Sequence, residues 1–304
     1  MLAIVIPYYN IKFFDKTLES LSNQTDKRFT VYIGDDNSPN NPEGVISKFA
    51  SGLTVKYAKF EENWGSHSLV KQWERCIDLL QDEQWIMILG DDDVLDKNCV
   101  NYFYQNLDEI KQNDSKVIRF ASQYIGSNGK PLANYYTFHH PKIEKATDSF
   151  YRKFLGQSAS SLSEHIFSRI SFQKNRFQDY PLAWYSDDYA WLEFSNFKTI
   201  FTINEAIVSV RVSSESISGK EDNLELKNKA KKLFFKDLIY DELGYFNKRQ
   251  KEGLLLEYDI LLKDQQELDA KNAAYVGYQL LKIGAWMSFL LCARRFCVAK
   301  VTRK

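Results

Sequence analysis

The chain is short of cysteine, of unbalanced charge and of long apolar runs, and each shortage removes a class of protein. Four cysteines in 304 residues (Cys76, Cys99, Cys292, Cys297) show no paired spacing. That excludes a disulfide framework and a zinc ribbon and leaves reduced, mostly buried thiols as the expectation. Lys plus Arg and Asp plus Glu each number 40, so no basic field favours nucleic acid, and none is expected as a partner. The histidines lack a companion acid at metal-ligand spacing. In the apolar C-terminal part the longest uncharged run, 283–293, has 11 residues, well short of the roughly 20 needed to span a bilayer. The opening "MLAIVIPYYN" has no basic leader and no small-residue cleavage site. It reads as a first strand, with the cytoplasm as the expected compartment.

What is present is a core: hydrophobic residues make up 44% and aromatics 15%, enough to exclude wholesale disorder. Buried β-type runs at 2–6, 29–33, 53–58, 84–89 and 117–122 alternate with amphipathic helical stretches. One of these carries Leu69, Trp73, Cys76, Ile77 and Leu80, and another Val100, Phe103, Leu107 and Ile110. Strands alternating with helices at this spacing predict right-handed βαβ units, hence an α/β fold on a mainly parallel sheet flanked by helices. The pattern blurs over 123–180, where "EHIFSR" fits strand or helix. It closes with two runs, "TIFTI" and "AIVSVRV". A catalytic domain is expected over 1–215, with halves of about 1–122 and 123–215, followed by a helical extension over 216–304.

Three acidic clusters stand out. Asp35-Asp36 directly follows the second strand, Asp91-Asp92-Asp93 directly follows the fourth, and Asp187-Asp188 opens a predicted helix in "WYSDDYAWLEF". Two unit charges about 4 Å apart repel by roughly 4 kcal/mol at an effective dielectric near 20, so a triple Asp behind a buried strand calls for a cation. Ligands in open parallel sheets bind outside the carboxyl ends of the strands. Mg²⁺ and Mn²⁺ prefer oxygen ligands, one or two carboxylates plus substrate phosphates. Each cluster also has a plain structural account: a solvated turn for the first two, helix capping for the third.

The order "AIVIPYYN", "VYIGDDNSPN", "ENWGSHSLVKQWERCIDL", "WIMILGDDDVLD", "WYSDDYAWLE" resembles the successive motifs of family 2 glycosyltransferases with the GT-A fold, over about residues 1–215. The resemblance implies an inverting transfer of a sugar from a nucleoside-diphosphate donor, expected to be UDP-linked, to a hydroxyl acceptor. It implies base contacts at Asp35 and Asp36, with Pro7 and Tyr8 beside the same pocket. Nucleotide and metal contacts fall on Gly90–Asp93: Asp91 toward the donor, Asp92 and Asp93 toward Mn²⁺ or Mg²⁺. It implies Asp188 as catalytic base, with Asp187 where the family usually has Glu. Two departures stand out. Gly90 occupies a position where many members have Asp, and "SVRVSSESIS" offers Arg211, assigned to the diphosphate, followed by Ser213 and no His.

The expected role is surface polysaccharide synthesis (capsule, O-antigen or exopolysaccharide) on a saccharide or lipid-linked acceptor. A sugar-phosphate nucleotidyltransferase and a non-catalytic carbohydrate-binding scaffold are the alternatives. The nucleotidyltransferase is disfavoured because the first strand runs into "PYYN" rather than a Gly-rich phosphate loop. Lys71 and Arg75, one turn apart, are read as a solvated helix face. His139-His140 is placed at the acceptor site, and Trp184-Tyr185 either against a sugar or in the core. The last eleven residues, "RRFCVAKVTRK", carry five cations and no acid. With the apolar helix before them they predict peripheral binding to an anionic membrane at its inner face; docking on the catalytic domain, or on a second protomer in a homo-oligomer, is the alternative.

Overall fold

The computed structural model describes residues 1–132, 136–212 and 223–301, and the side chains of 300 and 301 lie outside that description. The chain divides into two compact units, Met1–Leu224 and Glu225–Lys304. The expected boundary near 215 falls outside the described residues.

In the first unit the elements run β1 (Leu2–Tyr8), α1 (Phe14–Ser22), β2 (Phe29–Asp35), α2 (Glu43–Phe49), β3 (Val55–Lys59), α3 (Leu69–Ile77) and β4 (Trp85–Ile88). Then come β5 (Val94–Leu95), α4 (Cys99–Gln105), α5 (Leu107–Gln112), β6 (Val117–Ile125), β7 (Ile143–Lys145), α6 (Ala146–Phe154), β8 (His165–Ser168), α7 (Arg169–Lys174), α8 (Ser186–Phe194) and β9 (Thr199–Arg211). The strands form one sheet in the order β3-β2-β1-β4-β8-β6-β9-β5, with β7 on β9. Tracing the pairings, β1, β2, β3, β4, β6 and β9 share one direction, and β5, β7 and β8 oppose it. The sheet is therefore mixed, with the parallel majority that the alternating pattern predicts. The ambiguous "EHIFSR" supplies β8, an antiparallel strand wedged between β4 and β6. The two late runs join into β9, whose register against β6 shifts between Phe120 and Ala121.

β1 and β2 are almost wholly buried, as expected for strands covered on both faces. Their Ile4, Ile6, Val31 and Ile33 meet Phe14, Leu18 and Leu21 of α1 and Val100 and Phe103 of α4 in the main core. β2 and β3 lie on one side of β1 and β4 on the other, so the strand order reverses at β1. A crevice opens at the carboxyl ends beside such a reversal.

The second unit is helical: α9 (Leu224–Tyr240), α10 (Lys248–Asp264), α11 (Ala270–Lys282) and α12 (Trp286–Val301). Asn247 and Gln250 form a reciprocal capping box at the start of α10, which satisfies amide donors that the first turn leaves open. Phe234, Leu238, Leu254, Leu255, Val276 and Leu280 are fully buried. Among the described residues, no helix is long and apolar enough to cross a membrane.

Candidate active site

Asp35-Asp36 and Asp91–Asp93 lie at or just after the carboxyl ends of β2 and β4, the two neighbours of β1, and Asp187-Asp188 open α8; each cluster is fixed by different partners. Asp35 ends β2, fully buried. Its Oδ1 accepts from the Ser38 N–H at 2.7 Å and its Oδ2 from the Tyr57 hydroxyl at 2.7 Å. Asp36 accepts from the backbone N–H groups of Trp64 (2.7 Å) and Gly65 (2.8 Å), and Arg75 pairs with it. Burial nevertheless pushes the Asp36 pKa up. A Cβ on Gly65 would stand 2.5 Å from Asp36 Oδ2, so only glycine lets the loop close on this carboxylate. Arg75 is not the solvated residue that helix spacing suggested. Its guanidinium stacks 3.9 Å over Phe60 and donates to the Glu62 carbonyl at 2.8 Å. Tyr8 also departs from expectation: its side chain is buried against Phe14, ring centroids 4.6 Å apart, and its hydroxyl donates to the Asn40 carbonyl. Beside the crevice, β1 therefore presents Pro7 and backbone rather than the Tyr8 ring.

The three consecutive aspartates after β4 serve three different ends. Asp91 Oδ2 accepts from the N–H groups of Tyr9 (2.8 Å) and Asn10 (2.7 Å), tying the acid turn to the end of β1. Asp93 is buried; its Oδ1 accepts from the Arg211 N–H at 2.7 Å and its Oδ2 from the Ser163 hydroxyl. Asp92 accepts from its own backbone N–H, and among the described residues no side chain donates to it. Burial, then the neighbouring Asp93 and Asp91 charges, pushes its pKa up to about 8; burial raises Asp91 to about 6. Arg211, expected at the diphosphate, is 3% exposed. It donates through Nε to the Asp92 carbonyl (2.8 Å) and through Nη1 to the Gly126 carbonyl (2.7 Å), and lies 4.2 Å over the Phe13 ring. Its guanidinium thus braces the turn from behind.

A Cβ on Gly90 would meet Asp93 Oδ2 at 2.8 Å and Asp92 Oδ1 at 3.2 Å. An aspartate there would crowd two carboxylates already present, which accounts for the departure from the family pattern. Among the described residues no group of three or more His, Cys, Asp or Glu is arranged to hold a metal. The donor set fits a divalent ion held by the Asp92 carboxylate together with substrate oxygens, not an all-protein cage. Asp93, the second expected ligand, has both oxygens engaged by protein.

Asp187 and Asp188 occupy the first turn of α8. Three non-glycine residues just before it, Leu182, Ala183 and Tyr185, have φ of 58°, 53° and 71°. Each left-handed residue of this kind costs about 1–3 kcal/mol, so the surroundings hold the entry to α8 in one shape. Asp188 is 5% exposed, and Lys153 Nζ donates to both of its oxygens at 2.7 Å. Asp187 is half-buried. Burial and the Asp188 charge push its pKa up to about 7, with Lys153 opposing. Burial likewise raises Glu164 to about 7, against the hydrogen bonds from Ser161.

One segment joins the acid groups. Ser163 donates to Asp93 and accepts from the Gly90 N–H (3.0 Å), while the adjacent Glu164 acts electrostatically on Asp187 and Lys153. On the other side Ser38, which caps Asp35, donates to the Tyr9 carbonyl at 2.6 Å. Hydrogen bonds therefore link Asp35 through Ser38 and Tyr9 to the Asp91–Asp93 turn and Ser163, and from the neighbouring Glu164 the link to Asp187 and Lys153 is electrostatic. Sequence reading missed Lys153, Ser163 and Glu164, because their partners lie 35 and 70 positions away for the first two and no local pattern marks them. His140 is buried, and its Nδ1 lies 2.9 Å from Arg152. Trp184 and Tyr185 are half-buried, edge to face at 6.4 Å.

The family whose profile matches residues 3–201 is described as glycosyl transferase family 2. No curated protein matches the chain. Among solved structures, S. aureus TarS 1-349 in complex with UDP is similar at 16% identity and a TM-score of 0.63, covering 99% of this chain and 91% of that one. S. aureus TarS 1-349 in complex with UDP-GlcNAc is similar at 15% identity and a TM-score of 0.61, covering 93% and 80%. At these identities the likeness is one of fold.

Proposed function

The chain belongs to glycosyl transferase family 2, and from that premise we propose that it transfers a sugar from a nucleoside-diphosphate donor to an acceptor hydroxyl, with inversion at C1. The observation that carries this reading is the run of hydrogen bonds that ties the Asp35-Asp36 and Asp91–Asp93 clusters to Ser163, with the adjacent Glu164 acting electrostatically on Asp187. The UDP and UDP-GlcNAc bound by similar solved structures support a UDP-linked donor. The base would lie near Asp36 and the 64–65 loop, and the ribose near Asp91 and the backbone after β1. Asp92 would hold a divalent ion, which when bound neutralises charge on the departing diphosphate.

Asp187 is the proton acceptor in this reading, in place of the Asp188 that the motif names. Asp188 has both oxygens hydrogen-bonded to the Lys153 ammonium, whereas Asp187, raised to about 7, is poised as a general base requires. The acceptor hydroxyl gives its proton to Asp187 as its oxygen bonds to C1. The C1–oxygen bond to the diphosphate breaks, and the electron pair leaves with the diphosphate. Lys153 fixes Asp188 in place, and the Asp188 charge holds the Asp187 pKa up. A lipid-linked saccharide acceptor at the inner membrane face, in surface polysaccharide synthesis, is the physiological setting we assign.

Incubating the protein with Mn²⁺ or Mg²⁺ and a panel of nucleotide sugars tests the reading. Slow hydrolysis of a UDP-sugar and a raised thermal midpoint with UDP are expected. Neither response to any donor would leave a scaffold on the same fold, and turnover only with a nucleoside triphosphate plus a sugar phosphate would make it a nucleotidyltransferase. Asp92→Ala is expected to weaken Mn²⁺-dependent UDP binding roughly 10–100-fold, measured by calorimetry. Unchanged affinity would place the ion elsewhere.

A further inference from the structure

We infer that α12 is a docking surface for an anionic lipid bilayer, lying in the plane of the interface. Five large apolar residues of this helix are exposed: Trp286 (65%), Met287 (74%), Leu290 (58%), Leu291 (50%) and Val298 (51%). They recur at i, i+1, i+4, i+5 and i+12, the spacing of a single helical face. Among the described side chains, the one charged residue on that face is Arg294, at i+8. The opposite side faces the second unit's own core. Cys292 is buried, Ser288 donates to Glu252 at 2.6 Å, and Arg295 pairs with the buried Asp259. The apolar face is therefore not a helix side awaiting its own core.

Charge selects the occupant. The helix contains no acidic residue, and after Arg294 and the Asp259-paired Arg295 the sequence adds Lys300, Arg303 and Lys304 with no acid; the Lys300 side chain and the whole of Arg303 and Lys304 lie outside the described residues. Pairing two copies about a two-fold axis would bring acid-free, cation-bearing faces together with nothing to neutralise them. An anionic surface satisfies both features: the apolar face enters the acyl boundary, and Arg294 on it, with the cationic, acid-free sequence that follows, favours lipid phosphates. Sixteen residues make a helix about 24 Å long, suited to lying along a bilayer and too short and polar to cross it. This inference stands independently of the transferase reading.

The test uses the full chain with vesicles of phosphatidylcholine alone or mixed with phosphatidylglycerol. Sedimentation with the anionic vesicles only, reversed by salt, is expected. So is quenching of Trp286 by brominated lipid, lost in Trp286→Phe. Leu290→Gln and Leu291→Gln remove side chains that no core needs, and each is expected to weaken partitioning roughly tenfold. Arg294→Gln is expected to weaken it about fivefold. Equal partitioning of wild type and the Leu290→Gln/Leu291→Gln double variant would overturn the proposal. So would a wild-type dimer in sedimentation equilibrium that the same double variant abolishes, because a second copy would then cover the face. Donor hydrolysis by the double variant without vesicles separates this outcome from failure of the enzymatic reading.

Discussion

Asp187→Asn is expected to lower kcat about 10²–10⁴-fold, the usual contribution of a positioned general base, while leaving the affinity for UDP unchanged. The amide keeps the shape and the place at the α8 N-terminus but cannot take the acceptor's proton. The wild-type pH profile follows from the same group. Burial and the Asp188 charge raise Asp187 to about 7, so it is protonated and idle at lower pH. The rate of transfer should rise as pH passes through about 7 and level off above it. Asp188→Asn should behave differently: it strands the Lys153 ammonium, which is about a quarter exposed, and costs about 3 kcal/mol of stability, the low end for a broken buried pair. It also removes the charge that raises Asp187, so residual activity should show its rising limb at lower pH. A profile flat between pH 5 and 8, or full activity in Asp187→Asn, would return the base to Asp188.

The largest stability effect is expected at Glu144. Arg119, on β6, is 1% exposed and donates through Nη2 to Glu144 Oε2 at 2.9 Å and through Nη1 to the Ser149 hydroxyl at 2.5 Å. Arg152 donates to both Glu144 oxygens at 2.6 and 2.8 Å. Burial by itself would raise Glu144, but the two guanidiniums bring it below its ordinary value. Its stabilisation is therefore complete at neutral pH and is lost as pH falls through the lowered folded-state value. Glu144→Ala leaves one guanidinium wholly buried without its counter-charge. The expected cost is about 3–5 kcal/mol, a fall in thermal midpoint on the order of 10 °C for a unit of this size. The Arg119→Met/Glu144→Leu double variant should recover most of that loss, because a well-packed apolar pair replaces the buried ions and the partly exposed Arg152 can turn to water. If Glu144→Ala melts with the wild type, this network contributes nothing to the fold.

Much of the architecture was legible because burial writes itself locally. β1 and β2 read as continuous apolar runs since both faces are covered, and α1 and α4 read as amphipathic since one face is. The antiparallel β8 was ambiguous because four buried residues, "HIFS", carry neither a two-residue nor a 3.6-residue period. Arg75 was misread because solvated and buried arginines look alike along a helix; the difference lies in Asp36, Phe60 and Trp64, which come from another strand and loop. Arg211 and Tyr8 were placed at the substrate for the same reason, when tertiary contacts turn the one behind the acid turn and the other into the core.

The sequence by itself determined the mainly parallel α/β sheet and the positions of the three acid clusters along the chain, because these follow from short-range periodicity and from carboxylates directly behind buried strands; the strand order and its reversal at β1 came from the tertiary pairing. Only the tertiary structure decided which carboxylates remain available. Asp93 and Asp188 are engaged by Arg211, Ser163 and Lys153 from distant parts of the chain, while at Asp92 and Asp187 burial and neighbouring carboxylates outweigh the nearby Arg211 and Lys153 charges. The basicity of a buried acid depends on what lies a few ångströms away in space, and that distance is not written in the order of the residues.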